Sequence, residues 1–344
     1  MKILMIGLGS IGQRHLRNIK RVYGEEAQIL AYRVRGLKRT FSDTMQIREN
    51  VSLEEEYNIK SFDDLSKALL EKPDIAYITN ITKSHIPCAI ACAKAGCHLF
   101  LEKPISDSLD GIAELAKIAA EKKLKVFVGY QNRFHPGIQY LKQFLAEGSI
   151  GRILSVRSVV GERLTTMHTY ENYKDTYMAR KDMGGGVLLN QMVHELDYLY
   201  YLFGQPKSVY ALGGINGNLG IDVDAIYRYE SEQGTFPVSV HADFYQYPPS
   251  RFVKVVGERG HIIVDLLKAE VTQAVGDEVT VIPYPDFARN DMFIEELKLF
   301  IDCIREDTEP AIPLADGIVS LKMALAARKS METGGVIDEF TGTV

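Results

Sequence analysis

The sequence lacks the features that would place it in several large classes of protein. None of its 344 residues lies in an apolar stretch approaching the ~20 residues of a membrane-spanning helix. Cysteine is scarce: Cys88, Cys92, Cys97 and Cys303 form no paired framework, which excludes a disulfide scaffold and points to a reduced, cytoplasmic protein. Excess positive charge is also missing. Forty Lys and Arg against 45 Asp and Glu leave a net −5, so there is no electrostatic case for a nucleic-acid or anionic-membrane partner. Internal repeats and low-complexity tracts are absent, and the N-terminus reads as a strand with a glycine motif rather than a signal peptide. Cys88 and Cys92 lie four apart, with Cys97 beyond, but Ala89, Ile90, Ala91 and Ala93 surround them. Small buried thiols are the expectation there, and no metal site is expected.

What remains is an ordinary globular composition, 46% apolar and 25% charged, in a chain long enough for two domains. It starts with a short apolar run, Lys2–Ile6, too short and unperiodic for a helix. Gly7, Gly9 and Gly12 follow, and then Ile11, Leu16, Ile19 and Val22 at helical spacing. Strand, G-x-G-x-x-G turn and helix in that order form a dinucleotide-binding fingerprint. Gly7 would make the tight turn, Gly9 would let the backbone approach a pyrophosphate, and Gly12 would let helix and strand pack closely. Ser10 and Ile11 would open the helix, whose free N–H groups and dipole favour an anion.

Up to residue 129 strand and helix patterns alternate. Ile29–Tyr32, Ile75–Thr79, Leu99–Leu101 and Val126–Gly129 read as buried strands, and Phe62–Leu70, His85–Ala95 and Leu109–Glu121 as helices. Asp63 and Ser84 are expected N-caps and Gly96 a helix stop. Residues 33–60 are polar and carry no clear period. Such alternation predicts an α/β domain over 1–129 with a doubly wound parallel sheet. From 130 to 344 the pattern changes. A helix runs from Pro136 to Gly148, and strand-like runs follow at Ile153–Val160, Ser208–Gly213, Ala225–Tyr229, Val238–Phe244, Phe252–Val256, His261–Val264 and Val279–Ile282. Helical patterns cover Val187–Leu202, Asp291–Arg305 and Ala315–Glu332. This predicts an α+β domain with a large, open, mostly antiparallel sheet.

An NAD site usually carries an acidic residue about 20 positions beyond the glycines, on the ribose 2′-hydroxyl. From Gln28 to Ser42 there is no Asp or Glu, but there are Arg33, Arg35, Lys38 and Arg39. A guanidinium can grip a 2′-phosphate, so NADP is expected, with NAD bound through backbone contacts as the alternative.

Two stretches carry chemistry. Glu102-Lys103-Pro104 ends a strand, where ligands of open α/β sheets bind; Pro104 holds Lys103 extended and Glu102 can orient its ammonium. Gly184–Gly186 lead into a helix on which Asn190, His194 and Asp197 fall at i, i+4 and i+7, on one face. The preceding Tyr170, Tyr173, Tyr177 and Arg180 form a polar, aromatic loop suited to stacking on sugar faces.

These marks, with His85 and Gly96, the stretch Gly129–Pro136 and Gly257–Gly260, resemble the glucose–fructose oxidoreductase / inositol dehydrogenase (Gfo/Idh/MocA) family over nearly the whole chain. The resemblance implies a Rossmann domain followed by a domain whose open sheet meets substrate and often a second subunit, as dimer or tetramer. It implies hydride transfer between a nicotinamide and a carbon of a sugar, nucleotide-sugar or cyclitol, with a place in bacterial surface-sugar synthesis. On it, Lys103 and His194 are the catalytic residues. Arg133, Tyr177, Arg180 and Asn190 would contact substrate, and Asn80, His85, Glu102 and Lys103 would join Gly7–Gly12, Arg33 and Arg35 around the cofactor. Many family members carry Asp at the position of Asn190 and Thr-Pro at that of Asn80-Ile81. Asn cannot act as a base, which leaves proton transfer to Lys103 and His194. Two other readings remain open at this level: a non-catalytic nucleotide-binding regulator, and a redox-assisted glycosidase of the same family.

Overall fold

A computed structural model describes residues 1–42, 46–167, 172–216, 219–338 and 340. They form two units. The first holds Met1–Gly129 with Phe293–Gly317; the second holds Tyr130–Met292 and the residues from Ile318 on. The reading of 130–344 as one block does not contain this return of Phe293–Gly317 to the first unit.

In the first unit the order is β1 (Lys2–Ile6), α1 (Ser10–Tyr23), β2 (Gln28–Tyr32), β3 (Arg39–Phe41), β4 (Ile47–Glu49), α2 (Leu53–Tyr57), β5 (Lys60–Phe62), α3 (Leu65–Leu70), β6 (Ile75–Ile78), α4 (His85–Lys94), β7 (His98–Glu102), α5 (Ile112–Glu121) and β8 (Val126–Gly129). Six strands pair in the order β5-β2-β1-β6-β7-β8, all parallel. Ile3–Ile6 and Ile75–Ile78 are buried without alternation, as strands covered on both faces must be. This is the parallel α/β architecture expected from the alternating patterns.

The helix expected at Phe62–Leu70 is present as α3 but starts only at Leu65, since Phe62 ends β5, and the capping side chain is Asp64 rather than Asp63, accepting from Ser66 N at 2.8 Å. Three-residue strands in polar surroundings give no readable period, which is why β3, β4 and β5 escape a pattern search. Tyr77, Phe100 and Phe127 stack across β6, β7 and β8, with centroids 4.7 and 5.5 Å apart. Phe300, from the C-terminal part of the chain, packs on all three rings. Val128 N donates to Ile312 O at 3.0 Å, so the returning chain pairs along β8.

The second unit contains α6 (Pro136–Ala146), β9 (Ile153–Gly161), α7 (Leu164–Met167), a π-helical turn over Leu188–Met192, α8 (Val193–Phe203), β10 (Ser208–Leu212), β11 (Ile215–Asn216), β12 (Leu219–Gly220), β13 (Asp222–Ser231), β14 (Gly234–Asp243), β15 (Ser250–Gly257), β16 (Gly260–Asp265), β17 (Glu270–Val275) and β18 (Glu278–Pro283). Eight strands pair in the order β10-β13-β14-β9-β15-β16-β17-β18. Only β14 and β9 are parallel neighbours, so the sheet is mostly antiparallel, as expected. The chain ends in α9 (Arg289–Arg305) and α10 (Leu314–Thr333), each beginning in one unit and ending in the other.

Residues alternate along this sheet. Val223, Ala225, Tyr227 and Tyr229 of β13 are buried, while Asp224, Ile226 and Arg228 face out. Helix α8 covers the inner face: Tyr198 Oη lies 2.6 Å from Ser158 Oγ, and Arg251 Nε donates to Glu195 Oε1 at 2.8 Å.

Candidate functional site

In the first unit the site begins at the glycine turn. Gly7 has φ +89°, a conformation that a side chain would strain, and its N–H donates to Tyr32 O. A Cβ on Gly12 would sit 2.4 Å from Gly7 O and 2.7 Å from Thr79 Oγ1. Both glycines are therefore required by packing of β1, α1 and β6. Gly9 differs: its φ is an ordinary −72°, and a Cβ there would meet nothing within 4 Å. The space in front of Gly9 is the one the fold does not need. α1 starts at Gly9 without a side-chain cap and without an acidic residue in its first turn, so Ser10 and Ile11 open an N-terminus suited to an anion.

Asn80 lines the same turn: a Cβ at Gly7 would lie 3.0 Å from its Cα. Its Nδ2 donates to Cys88 Sγ at 3.3 Å, and its Oδ1 is buried without a hydrogen-bond partner among the described residues. Such an acceptor costs free energy unless a ligand donor satisfies it. Open glycine, uncapped helix and orphaned amide oxygen fit a dinucleotide.

His85 and Glu102 brace this site. His85 Nδ1 lies 2.9 Å from Pro104 O and Nε2 lies 3.1 Å from Asn80 O, tying the Asn80 turn to the Lys103-Pro104 turn. Burial pushes the imidazole below its usual range. Glu102 is buried, its Oε1 2.7 Å from His15 Nε2 of α1 and its Oε2 accepting from Lys103 N at 3.2 Å. Lys103 is thus held at the C-terminal end of β7, and the strand that carries it is tied to the glycine-turn helix by a buried pair.

Arg33 follows β2 directly, beside the glycine turn. Its guanidinium donates to Glu54 Oε1, in an ion pair, and to Leu37 O at 2.6 Å. Arg35 and Lys38 remain exposed. Glu54 lies 21 residues beyond Arg33, well past the strand end where an acid on the ribose usually sits. Ser52-Leu53-Glu54-Glu55 is a capping-box pattern, and Ser52 does cap α2 by accepting from Glu55 N; that pattern was the available signal. Burial raises the Glu54 carboxyl, but hydrogen bonds from Ser61, its own backbone and Arg33, with the Arg33 charge, outweigh this and hold it at about 2.

In the second unit the three glycines serve a close crossing. A Cβ on Gly185 would lie 2.1 Å from Tyr177 O and 2.8 Å from Arg180 O. Gly185 N donates to Arg180 O and Gly186 N to Met178 O, so the Tyr177–Arg180 turn wraps the glycines. This brings Tyr177 to Asn190, whose Nδ2 donates to Tyr177 Oη at 3.1 Å. Asn190 sits in the π turn and His194 follows it, both largely buried. A π turn inside a helix is costly and concentrates at functional sites. His194 presents edge-on to Tyr130, centroids 6.4 Å apart.

Arg133 and Arg180 are both engaged within the chain. Arg133 grips Asp197 with two bonds, Nε to Oδ2 at 2.8 Å and Nη2 to Oδ1 at 2.7 Å, and Ser320 Oγ adds a third to Asp197 Oδ1. Arg180 makes two bonds to Asp182, at 3.1 and 2.6 Å, on the surface. Tyr177 is partly exposed; Tyr170 lies outside the described residues. No group of three or more potential metal-ligating side chains occurs among the described residues, and no described helix is long and apolar enough to cross a membrane.

A parallel sheet with an open glycine turn at an uncapped helix, and a second unit with a π-turn helix over a large sheet, define a two-unit dinucleotide-binding oxidoreductase fold. Residues 1–130 match the oxidoreductase family with an NAD-binding Rossmann fold, and residues 138–263 match the GFO/IDH/MocA C-terminal domain; the chain belongs to this family. It is 27% identical to the myo-inositol 2-dehydrogenase of Thermotoga maritima, over 96% of each chain. It is 25% identical to the inositol 2-dehydrogenase of Rhizobium meliloti, over 75% of this chain and 78% of that one. Among solved structures, a levoglucosan dehydrogenase complexed with NADH and levoglucosan superposes with a TM-score of 0.82 at 18% identity, covering 98% and 99% of the two chains. The WlbA dehydrogenase of Bordetella pertussis, in complex with NADH and UDP-GlcNAcA, superposes at 0.79 with 23% identity, covering 98% and 97%.

Proposed function

We propose that the protein is a nicotinamide-dependent dehydrogenase that interconverts an alcohol and a ketone on the ring of a sugar, nucleotide-sugar or cyclitol. The observation that carries the reading is the open space at Gly9, before an uncapped helix, beside the orphaned Oδ1 of Asn80. The dinucleotide, when bound, supplies the hydride acceptor or donor. Ser10, Ile11 and the first turn of α1 receive its phosphates, and Asn80 receives a donor.

The chain's own residues handle the proton. Lys103, fixed by Glu102 and Pro104, takes the hydroxyl proton as the alcohol is oxidised and returns it in reverse. His194, buried just after the π turn of the second unit, is the second group suited to proton transfer. Asn190 and Tyr177, already joined, orient ring hydroxyls. Arg133 acts as a positioning residue that holds α8 through Asp197 rather than as a substrate contact.

The basic run after β2 favours NADP on charge alone, but the Arg33 guanidinium is engaged by Glu54 and Leu37, and this supports NAD as the working cofactor. The outer sheet face carries exposed Tyr210, Leu212, Ile226, Val279 and Val281, which supports a second copy of the chain as its partner. Sedimentation velocity tests that assignment: a monomer at micromolar concentration would remove it.

The experiment for the activity is hydride exchange from 4-deuterated NADH and NADPH into oxidised forms of inositols, free pyranoses and UDP-sugars, with product analysis by mass spectrometry. Deuterium on one ring carbon is expected. Dinucleotide binding with no transfer across the panel would favour a regulator, and cleavage of a glycoside without net oxidation a redox-assisted glycosidase.

A further inference from the structure

We infer that Glu54 is the residue that decides between the two nicotinamide dinucleotides, by withholding Arg33 from the adenosine 2′-phosphate. This rests on the dinucleotide reading above.

The placement comes from strand order. β2 lies beside β1 in register, Ile6 opposite Tyr32, and Gly7 N donates to Tyr32 O. Arg33 is therefore the first residue beyond β2, next to the turn that would hold the pyrophosphate. In this fold the adenosine ribose lies at the end of that strand. A guanidinium there would grip a 2′-phosphate with two hydrogen bonds, provided its nitrogens were free.

They are not free. Nη1 donates to Glu54 and Nη2 to Leu37 O, and the side chain is 8% exposed. Glu54 is itself fixed: Ser61 Oγ of β5 donates to its Oε1 at 2.7 Å and Ser52 Oγ of the α2 cap to its Oε2 at 3.1 Å. The backbone of Arg33 is held as well, its N–H donating to Phe62 O. β2, α2 and β5 thus hold one arginine in one place. The carboxylate adds a second obstacle. It neutralises Arg33 and would stand close to an incoming phosphate, which like charge disfavours, whereas a 2′-hydroxyl meets no such penalty. An acid supplied from α2 thereby replaces the acid that the end of β2 lacks.

The pair can be released. Glu54 is 38% exposed at its side chain, so its removal opens Arg33, 8% exposed and still bonded to Leu37 O, to a solvent-side anion that can replace the lost carboxylate. Freed, Arg33 becomes the 2′-phosphate ligand that its position suggests.

The test is fluorescence titration of NADH and NADPH against wild type, Glu54→Gln, Glu54→Ala and Glu54→Ala/Arg33→Ala. Wild type is expected to prefer NADH. Glu54→Ala should shift the NADPH-to-NADH affinity ratio by at least about tenfold, through tighter NADPH binding with NADH affinity within about twofold. Glu54→Gln should move it less, in the same direction, and serves alone if the alanine variant does not fold. Adding Arg33→Ala should return the ratio to its starting value. A ratio unchanged within about twofold in both Glu54 variants, equal loss of both ligands, or a gain that survives Arg33→Ala each overturns the inference. Wild type binding neither dinucleotide overturns the functional reading and this inference with it.

Discussion

Two arginine–carboxylate pairs, one in each unit, make an instructive contrast. Arg33 and Glu54 sit at the end of a parallel sheet, with side chains 8% and 38% exposed. Arg133 and Asp197 sit beneath the π-turn helix at 4% and 1%. The basic run after β2 predicts a 2′-phosphate partner for Arg33, and the family resemblance implies a substrate contact for Arg133. Each guanidinium holds a carboxylate of the chain. Their burial separates what they can do. In the outer pair the carboxylate reaches solvent while the guanidinium is largely buried, so the proposed exchange for a ligand turns on Glu54. The inner pair is fully desolvated, bidentate, flanked by the rings of Tyr200 and Tyr201, and fixed in place.

The largest expected effect lies with the inner pair. Arg133→Ala strands Asp197 in the core and should cost about 3–5 kcal/mol of stability, as buried pairs do when one partner is removed. Urea unfolding measures it; a loss below about 1 kcal/mol would make the two pairs equivalent and remove the contrast. Glu54→Ala should cost less, about 1–2 kcal/mol in the same experiment, because the carboxylate is 38% exposed and the largely buried Arg33 keeps its bond to Leu37 O.

Between these lies a titration in the second unit. His135 caps α6, its Nδ1 accepting from Gly137 N at 3.1 Å, and burial pushes its pKa down to about 4. Because the folded value lies below the unfolded ~6.5, the unfolded chain binds the extra proton between those values. The contribution is present above about pH 6.5 and is lost as pH falls towards 4, up to ~3 kcal/mol. A pH series of denaturant midpoints should show this slope in wild type and a shallower one in His135→Asn. Equal slopes would detach the effect from His135.

The two units were not equally legible in the sequence. β1, the glycine turn and the strand–helix alternation could be read because buried parallel strands are continuous apolar runs and each glycine spacing has one mechanical use. The helix carrying Asn190 and His194 could be read from its spacing, but its π turn could not, since hydrogen-bond pitch leaves no mark in the residue types. β3, β4, α2 and β5 were missed because elements of three to five residues show no period. Glu54 went with them, hidden in an acidic run 21 residues from the arginine it holds. The return of Phe293–Gly317 was invisible for another reason. The helical pattern shows that Phe300 is buried, but not that Tyr77, Phe100 and Phe127 bury it. Arg133 holds Asp197, 64 residues on, and nothing in the sequence announces that pairing.

The catalytic assignment predicts its own split. Lys103→Ala should lower kcat at least about 10²-fold on a verified substrate while leaving NADH affinity nearly unchanged, since the phosphates bind at the glycine turn. Near wild-type turnover would remove Lys103 from the chemistry.

The central claim is that the glycine turn holds a ligand rather than merely packing, and Gly9 separates the two. Gly9 has an ordinary φ, and a Cβ there meets no protein atom within 4 Å, unlike one at Gly12. Gly9→Val should therefore keep the wild-type melting temperature within about 2 °C while weakening NADH binding at least about 100-fold, or ~2.7 kcal/mol. A folded Gly9→Val protein that binds NADH as wild type does would show that the space before α1 is not where the dinucleotide sits, and would contradict the account.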